Sequence, residues 1–200
     1  MKIRESGMPE DNTWANFFEP ERVLNKLGLT PSCGDVVDFG CGYGTFTIPA
    51  AHIFPGIVHA LDIDPDMVRA TAIQAEAAGL RNVKTYLCDF VVDGTGLPTE
   101  TIGYAMLFNI LHVECPMTLL QEAFRILKPG GILGIIHWNY DPTTPRGPSM
   151  DIRPRPDQCR DWALQAGFSL FAPGIINLPP YHYGMAMKRE NVEDDFRSGR

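Results

Sequence analysis

Apolar runs and helix-spaced segments take turns along this chain, and that alternation limits the folds open to it more than any other feature. The runs DVVDFG (35–40), IVHALDI (57–63), VKTYLC (83–88), IGYAMLFNI (102–110) and ILGIIHW (132–138) are each the length of one strand. Helical spacing fills most of the gaps between them. A helix is expected from about Glu21 to a stop at Gly28, one from Thr45 to Phe54, and one from Pro65 to Ala78 with Asp64 as its N-cap. Two more are expected over Met117–Leu127, ended by KPGG, and Asp157–Ala166, ended by Gly167. IGYAMLFNI is apolar on both faces, as suits a central parallel strand.

Strands alternating with helices predict a doubly wound α/β sheet. The closing segments FSLFA (168–172) and YHYGMAMKR (181–189) are joined by the short link PGIINLPP, so they are expected to pair as an antiparallel hairpin. The predicted fold is a seven-stranded, mostly parallel, Rossmann-like sheet with its last strand antiparallel and helices on both faces. In such sheets ligands bind beyond the carboxyl ends of the strands, so function is sought where each strand stops.

A chain of 200 residues with 44% hydrophobic content can bury one core, which predicts a single domain over 1–200 with loose tails at 1–12 and 190–200. The net charge of −7 gives no general attraction for nucleic acid, and none is expected as a partner. No apolar run approaches the roughly 20 residues that cross a bilayer. The first residues lack the apolar stretch of a signal peptide. Five scattered cysteines, never spaced as CxxC, suit a reducing cytoplasm, the expected location, and not a disulfide framework or thiolate zinc site.

In VVDFGCGYGTF, Gly40, Gly42 and Gly44 lie between the first strand and its helix. Glycines there permit unusual φ values and close approach by a ligand. The helix that follows favours an anionic group such as a carboxylate. The spacing is GxGxG, not the GxGxxG of nicotinamide sites. Asp38 stands two residues ahead of the first glycine, where it suits an ammonium group and would repel a pyrophosphate. A packing turn with a solvated aspartate is the plain alternative. The second strand ends in Asp62, spaced to accept hydrogen bonds from two ribose hydroxyls. The third ends in LCDF, where Asp89 could take an exocyclic adenine amine or could cap a turn. Ile63 and Phe90 could contact the faces of a base.

VVDFGCGYGTF, VHALDID, YLCDF and ILKPGGIL together resemble the successive motifs of class I S-adenosylmethionine-dependent methyltransferases, over most of residues 30–138. The resemblance implies S-adenosylmethionine as cofactor, with S-adenosylhomocysteine as product. It implies that Gly40, Gly42 and Gly44 cradle the methionine part and that Asp38 assists at its amino group. Asp62 would then hold the ribose and Asp89 the adenine amine. It also implies the seven-stranded sheet already expected.

Methyl transfer from a sulfonium needs alignment and exclusion of water more than chemistry from the protein. A base is required only if the nucleophile arrives protonated. Asn109 and His112, in FNILHVE after the fourth strand, are expected beside the reacting centre, Asn109 touching cofactor or substrate and His112 as the candidate catalytic base. His112 could equally cap the next helix or pack beside the cofactor. His137, Trp138, Asn139, Tyr140 and Asp141 end the fifth strand and lead into the loop NYDPTTPRGPSMDIRPRP. That loop is expected at the acceptor, with Tyr140, Arg146 and Arg153 as candidate substrate contacts and Arg155 beside them. No metal site is expected. The leading expectation is methyl transfer to a small-molecule acceptor. A non-catalytic module binding the same cofactor or a partner, and a nicotinamide-dependent oxidoreductase, are the alternatives.

Overall fold

The computed structural model describes residues 19–190. The apolar residues from Trp14 to Phe18 and, apart from Glu190, the expected tails lie outside them. A helix α1 (Pro20–Lys26) precedes β1 (Val36–Phe39), α2 (Thr47–Ile53), β2 (Val58–Asp62), α3 (Pro65–Ala77) and β3 (Val83–Leu87). Then come β4 (Ile102–Phe108), α4 (Pro116–Ile126), β5 (Leu127–Trp138), α5 (Pro156–Gln165), β6 (Phe168–Leu178) and β7 (His182–Arg189).

The seven strands form one sheet in the order β3-β2-β1-β4-β5-β7-β6. Each neighbouring pair from β3 across to β5 is parallel. β7 runs antiparallel to both β5 and β6. The sheet therefore has six parallel strands and one reversed, as the sequence predicts. Successive residues along a strand serve opposite faces. Val37, Phe39, Ala105, Leu107, Leu133 and Ile135 pack with α4 and α5, whereas Val36, Tyr104, Met106, Phe108, Ile132 and Ile136 pack with α1 and α2. β4 is buried along its whole length, because strands flank it and helices cover it on both sides.

Local chemistry explains the helix starts. Proline opens α1, α3, α4 and α5 in the first turn, where a missing N–H costs nothing. Asp64 caps α3 by accepting the Asp66 N–H at 2.8 Å. Two boundaries differ from expectation. KPGG does not separate helix from strand: β5 begins at Leu127, because Leu127 pairs with Ile102, and an irregularity absorbs the glycines before Tyr104 meets Ile132. The segment PGIINL is not a link: it is the second half of β6, beyond a break in register between Phe171 and Ile175. Pro173 has no N–H to give a ladder, and an edge strand tolerates it at such a break.

Candidate cofactor and acceptor site

The carboxyl ends of the parallel strands bring Asp38, Asp62, Asp89, Asn109 and Trp138 to one edge of the sheet. Because β7 is reversed, it begins at that edge, with His182 opposite Trp138.

The glycine turn is anchored from three sides. Gly40 and Cys41 N–H groups both donate to Leu61 O, at 2.8 and 2.9 Å. Gly42 N–H donates to Asp62 Oδ2 at 2.9 Å. Gly42 O accepts from the buried Thr71 hydroxyl of α3 at 2.7 Å. Gly40 and Gly44 have φ of 77° and 84°, which L side chains rarely adopt. A Cβ on Gly44 would press on Ile48 Cγ1 at 3.2 Å and Thr71 Oγ1 at 3.3 Å, so this glycine also serves packing.

Two carboxyl groups flank the turn, both nearly sealed from solvent. Asp38 Oδ2 accepts from the Thr47 hydroxyl at 2.6 Å. Burial pushes the Asp38 carboxyl up to about 7; the Thr47 bond opposes this, and the neighbouring Asp62 charge adds to it. Burial also raises Asp62, against the opposing hydrogen bonds from Asp64 and Gly42. The Asp64 N–H reaches Asp62 Oδ1 at 3.0 Å. A carboxylate oxygen has two lone pairs, so each Asp62 oxygen keeps capacity for a ligand hydroxyl.

Of the three candidates after β2 and β3, two reach this edge of the sheet. Ile63, after β2, is 37% exposed. Asp89 Oδ1 accepts from the N–H groups of Val91 and Val92, both at 3.2 Å, and so caps the turn after β3. Phe90 is buried in the core, its ring edge-on to Phe39 with centroids 5.4 Å apart.

Asn109 follows β4 with a positive φ of 56°, rare for a residue with a side chain. Its N–H donates to Ile136 O at 2.7 Å. Its amide Oδ1 and Nδ2 are buried and find no partner among the described residues. His112 is half-buried, and its ring stands edge-on to His137 at 5.5 Å. Burial lowers the His112 pKa, so the ring is neutral at pH 7. Burial holds His137 well below its ordinary value, with His112 and His182 adding to the effect. Burial takes His182, which packs on Trp138 at 4.2 Å, down to about 3.

The loop after β5 does rise from this edge, but its arginines are deployed differently from expectation. Arg153 is buried and spends its guanidinium on the loop itself. It donates to the carbonyls of Asn139 (3.1 Å), Asp141 (3.1 Å), Arg146 (3.3 Å) and Pro148 (2.7 and 3.0 Å), and to Thr144 Oγ1 at 2.6 Å. A guanidinium has five N–H donors, so Arg153 has none left for an acceptor. Arg155 lies over the half-exposed Tyr140 ring, 3.8 Å from its centre. Arg146 is exposed. Gly147 lets the loop pass close over Trp138: a Cβ there would stand 2.9 Å from Trp138 Cγ.

Sequence reasoning missed Thr71 and the holding role of Arg153. Thr71 carried one signal, a hydroxyl on the buried stripe Met67, Thr71, Ala75 of α3. Among the described residues no group of three or more His, Cys, Asp or Glu side chains is set to hold a metal ion, and no helix is long and apolar enough to cross a membrane. The residues present fit a ligand with a cationic amine at Asp38, hydroxyls at Asp62 and a polar group at the unpaired amide of Asn109.

A family profile described as a methyltransferase domain matches residues 36–131, which contain Asp38, the glycine turn, Asp62, Asp89, Asn109 and His112, whereas His137, Trp138, the loop beyond them and His182 lie outside it. The chain is 32% identical over 158 residues to nocamycin O-methyltransferase of Saccharothrix syringae, covering 77% of this chain and 50% of that one. It is 26% identical over 178 residues to aklanonic acid methyltransferase DauC of Streptomyces sp. (strain C5), covering 82% and 80%. The chain thus spans half the length of the first relative and four fifths of the second. In structure it is similar to a SAM-dependent methyltransferase from Aquifex aeolicus, with a TM-score of 0.78, 23% identity, and coverage of 90% of this chain and 94% of that one. The reversed seventh strand, the anchored glycine turn with its two sealed carboxyl groups, and the matching profile lead to one conclusion: the chain carries a methyltransferase domain, built on the fold of the class I S-adenosylmethionine-dependent methyltransferases.

Proposed function

We propose that the protein transfers a methyl group from S-adenosylmethionine to a small-molecule acceptor. The observation that carries this reading is the convergence of Asp38, the Gly42 turn, Asp62 and the unpaired Asn109 amide at one sheet edge. Bound S-adenosylmethionine would supply an electrophilic methyl group on a sulfonium that is already a good leaving group.

The chain's own residues then have defined tasks. Asp38 ionises to meet an α-ammonium, exchanging its own proton for the ligand's charge. Gly40, Gly42 and Gly44 keep side chains out of the path beside it. Asp62 orients ribose hydroxyls while still holding the turn. Asp89 and Ile63 receive the adenine end. Phe90, sealed under that end against Phe39, supports the turn from the core side. Asn109 hydrogen-bonds at the acceptor side, and His112, neutral at pH 7, can accept a proton from an acceptor that needs to lose one. Tyr140, held by Arg155, borders the same edge; the exposed Arg146 has no fixed partner that would place it there.

The small-molecule assignment is supported by the two relatives named for small acceptors and by the acidic charge of the chain, which disfavours nucleic acid. Free cysteines suit a cytoplasmic location. Calorimetry with S-adenosylmethionine, S-adenosylhomocysteine and NADH tests the cofactor: both adenosyl ligands should bind and NADH should not. Turnover of labelled cofactor over a panel of phenols, enols, amines and thiols tests the enzyme. Binding without turnover across that panel would make the protein a binding module instead.

A further inference from the structure

Five buried polar atoms at the ends of β4 and β5 have no hydrogen bond of full geometry among the described residues: Oδ1 and Nδ2 of Asn109, Nδ1 of His112, and both ring nitrogens of His137, whose ring is offered only the backbone of its neighbour Trp138. They are neighbours. The bond from Asn109 N–H to Ile136 O sets residue 109 beside 137, and the rings of His112 and His137 meet at 78°. His137 is fully buried between His112 and Tyr183. Leaving such atoms without good partners carries the full cost of stripping them of water. The positive φ of Asn109 adds strain at the same place. Costs gathered in this way mark a place that receives a polar partner.

The partner's chemistry follows from the groups that face it. A neutral imidazole offers one N–H and one lone pair, and a carboxamide offers both kinds of group. Asn109, His112 and His137 include no carboxylate to pair a buried ammonium. The Arg153 guanidinium, which could have paired an anion, is committed to the loop. What remains complements a hydroxyl, which donates one hydrogen and accepts another.

We propose that His137, with His112 and Asn109, forms a subsite for the reactive end of the acceptor, and that this end is an acidic hydroxyl such as a phenol or enol. The proposal rests on the methyl-transfer reading above. The acceptor's O–H bond breaks with its electron pair staying on oxygen, and the proton passes to an imidazole lone pair of His112. The oxygen forms its new bond to the methyl carbon, and the pair of the breaking C–S bond leaves with sulfur. His112, only half-buried, returns its proton to water. His137, enclosed, holds the oxygen by a hydrogen bond.

The test is imidazole NMR on protein with labelled histidines, titrated with phenol and with benzylamine, each with and without S-adenosylhomocysteine. Phenol should shift the His112 and His137 signals saturably, and benzylamine should not. In His137→Phe the phenol affinity read at His112 should fall at least fivefold, while Tm rises by several degrees because buried, poorly paired nitrogens are gone. Rings unmoved by phenol, or moved equally by benzylamine, would overturn the proposal. So would a lower Tm in His137→Phe with the His112 response intact. If that variant does not fold, the two titrations of the unaltered protein decide. Failure of S-adenosylhomocysteine to bind in calorimetry would defeat the methyl-transfer reading separately, since the titration without it still judges the subsite.

Discussion

Asp62 Oδ2 holds the N–H of Gly42 at 2.9 Å, so the carboxylate expected to read a ribose also builds the turn that would lie beside the methionine end. Thr71 grips the same residue from the other side, through its carbonyl. Thr71→Val keeps the shape and removes the donor, leaving a buried carbonyl unpaired at a cost of about 1–3 kcal/mol. S-adenosylhomocysteine affinity should fall about three- to tenfold in Thr71→Val and recover in Thr71→Ser. Asp62→Ala should lose tenfold or more and also lower Tm, since both Gly42 and Asp64 lose an acceptor. Calorimetry beside thermal melts checks both. Unchanged affinity in a folded Asp62→Ala would remove the ribose assignment.

Asp38 predicts a pH dependence for binding. Folded, its carboxyl keeps a proton up to about pH 7; unfolded, it releases it near 4. The fold binds more protons in that window, so Asp38 costs the ligand-free protein stability as pH rises from about 4 to about 7. An arriving ammonium requires the ionised form and so expels the proton. Affinity for S-adenosylhomocysteine should increase about tenfold from pH 6 to pH 8. At pH 6, binding enthalpies in phosphate and in a histidine buffer should differ by nearly the full difference between the two buffers' heats of ionisation, the mark of about one released proton. In Asp38→Asn binding should be weaker and flat with pH. A flat profile in the unaltered protein would remove Asp38 from the ammonium site.

Arg153 makes a contrasting prediction about the loop. Arg153→Met removes every hydrogen bond that its guanidinium makes to residues 139–148. Trypsin should then cut after the exposed Arg146 at least tenfold faster, while S-adenosylhomocysteine affinity stays within about twofold. Arg146→Ala should change stability by less than about 0.5 kcal/mol. Equal cleavage of the Arg153→Met and unaltered proteins would show that the loop is ordered by something else.

The buried histidines set the acid limit. His182 titrates near 3 when folded and near 6.5 when unfolded. The unfolded chain therefore binds more protons below about 6.5, and the stability His182 carries at neutral pH drains away as pH falls toward 3. His137 acts in the same direction. Asp38 and Asp62, both raised by burial, act in the opposite one, but His112 is lowered as well, so three rings face two carboxyls. Tm should drop as pH is lowered from 7 to 5, and His182→Phe should flatten that slope, whatever its effect on Tm at pH 7. A slope unchanged in the variant would mean the ring is reached by solvent before it unfolds.

Much of this was legible because its causes are local. The glycine turn, Asp38 and Asp62 sit at fixed short spacings around strand ends, and Asp64 with Pro65 announces α3 by capping chemistry alone. Asn109 was legible as a strand-end residue, but its positive φ was not. The start of β5 at Leu127 depends on Ile102, twenty-five residues earlier in sequence, offering a partner across the sheet. Arg153 was placed at the acceptor because a guanidinium suits anions. Its actual partners are carbonyls of an irregular loop, which follow no period that a sequence displays. Thr71 was hidden for a related reason: its hydroxyl matters only once α3 lies against the Gly42 turn.

The slot that β7 fills has a consequence for how the protein is made. β7 comes last among the strands, yet it lies between β5 and β6. While the chain is being synthesised, β5 leaves the ribosome with one flank bare and cannot be closed until some forty-five later residues have followed. The wall behind His137, supplied by Tyr183, and the ring that covers Trp138, supplied by His182, are delivered in the same final step. A prematurely terminated product would carry the whole glycine turn but no finished acceptor side, with an open sheet edge for chaperones and proteases to recognise.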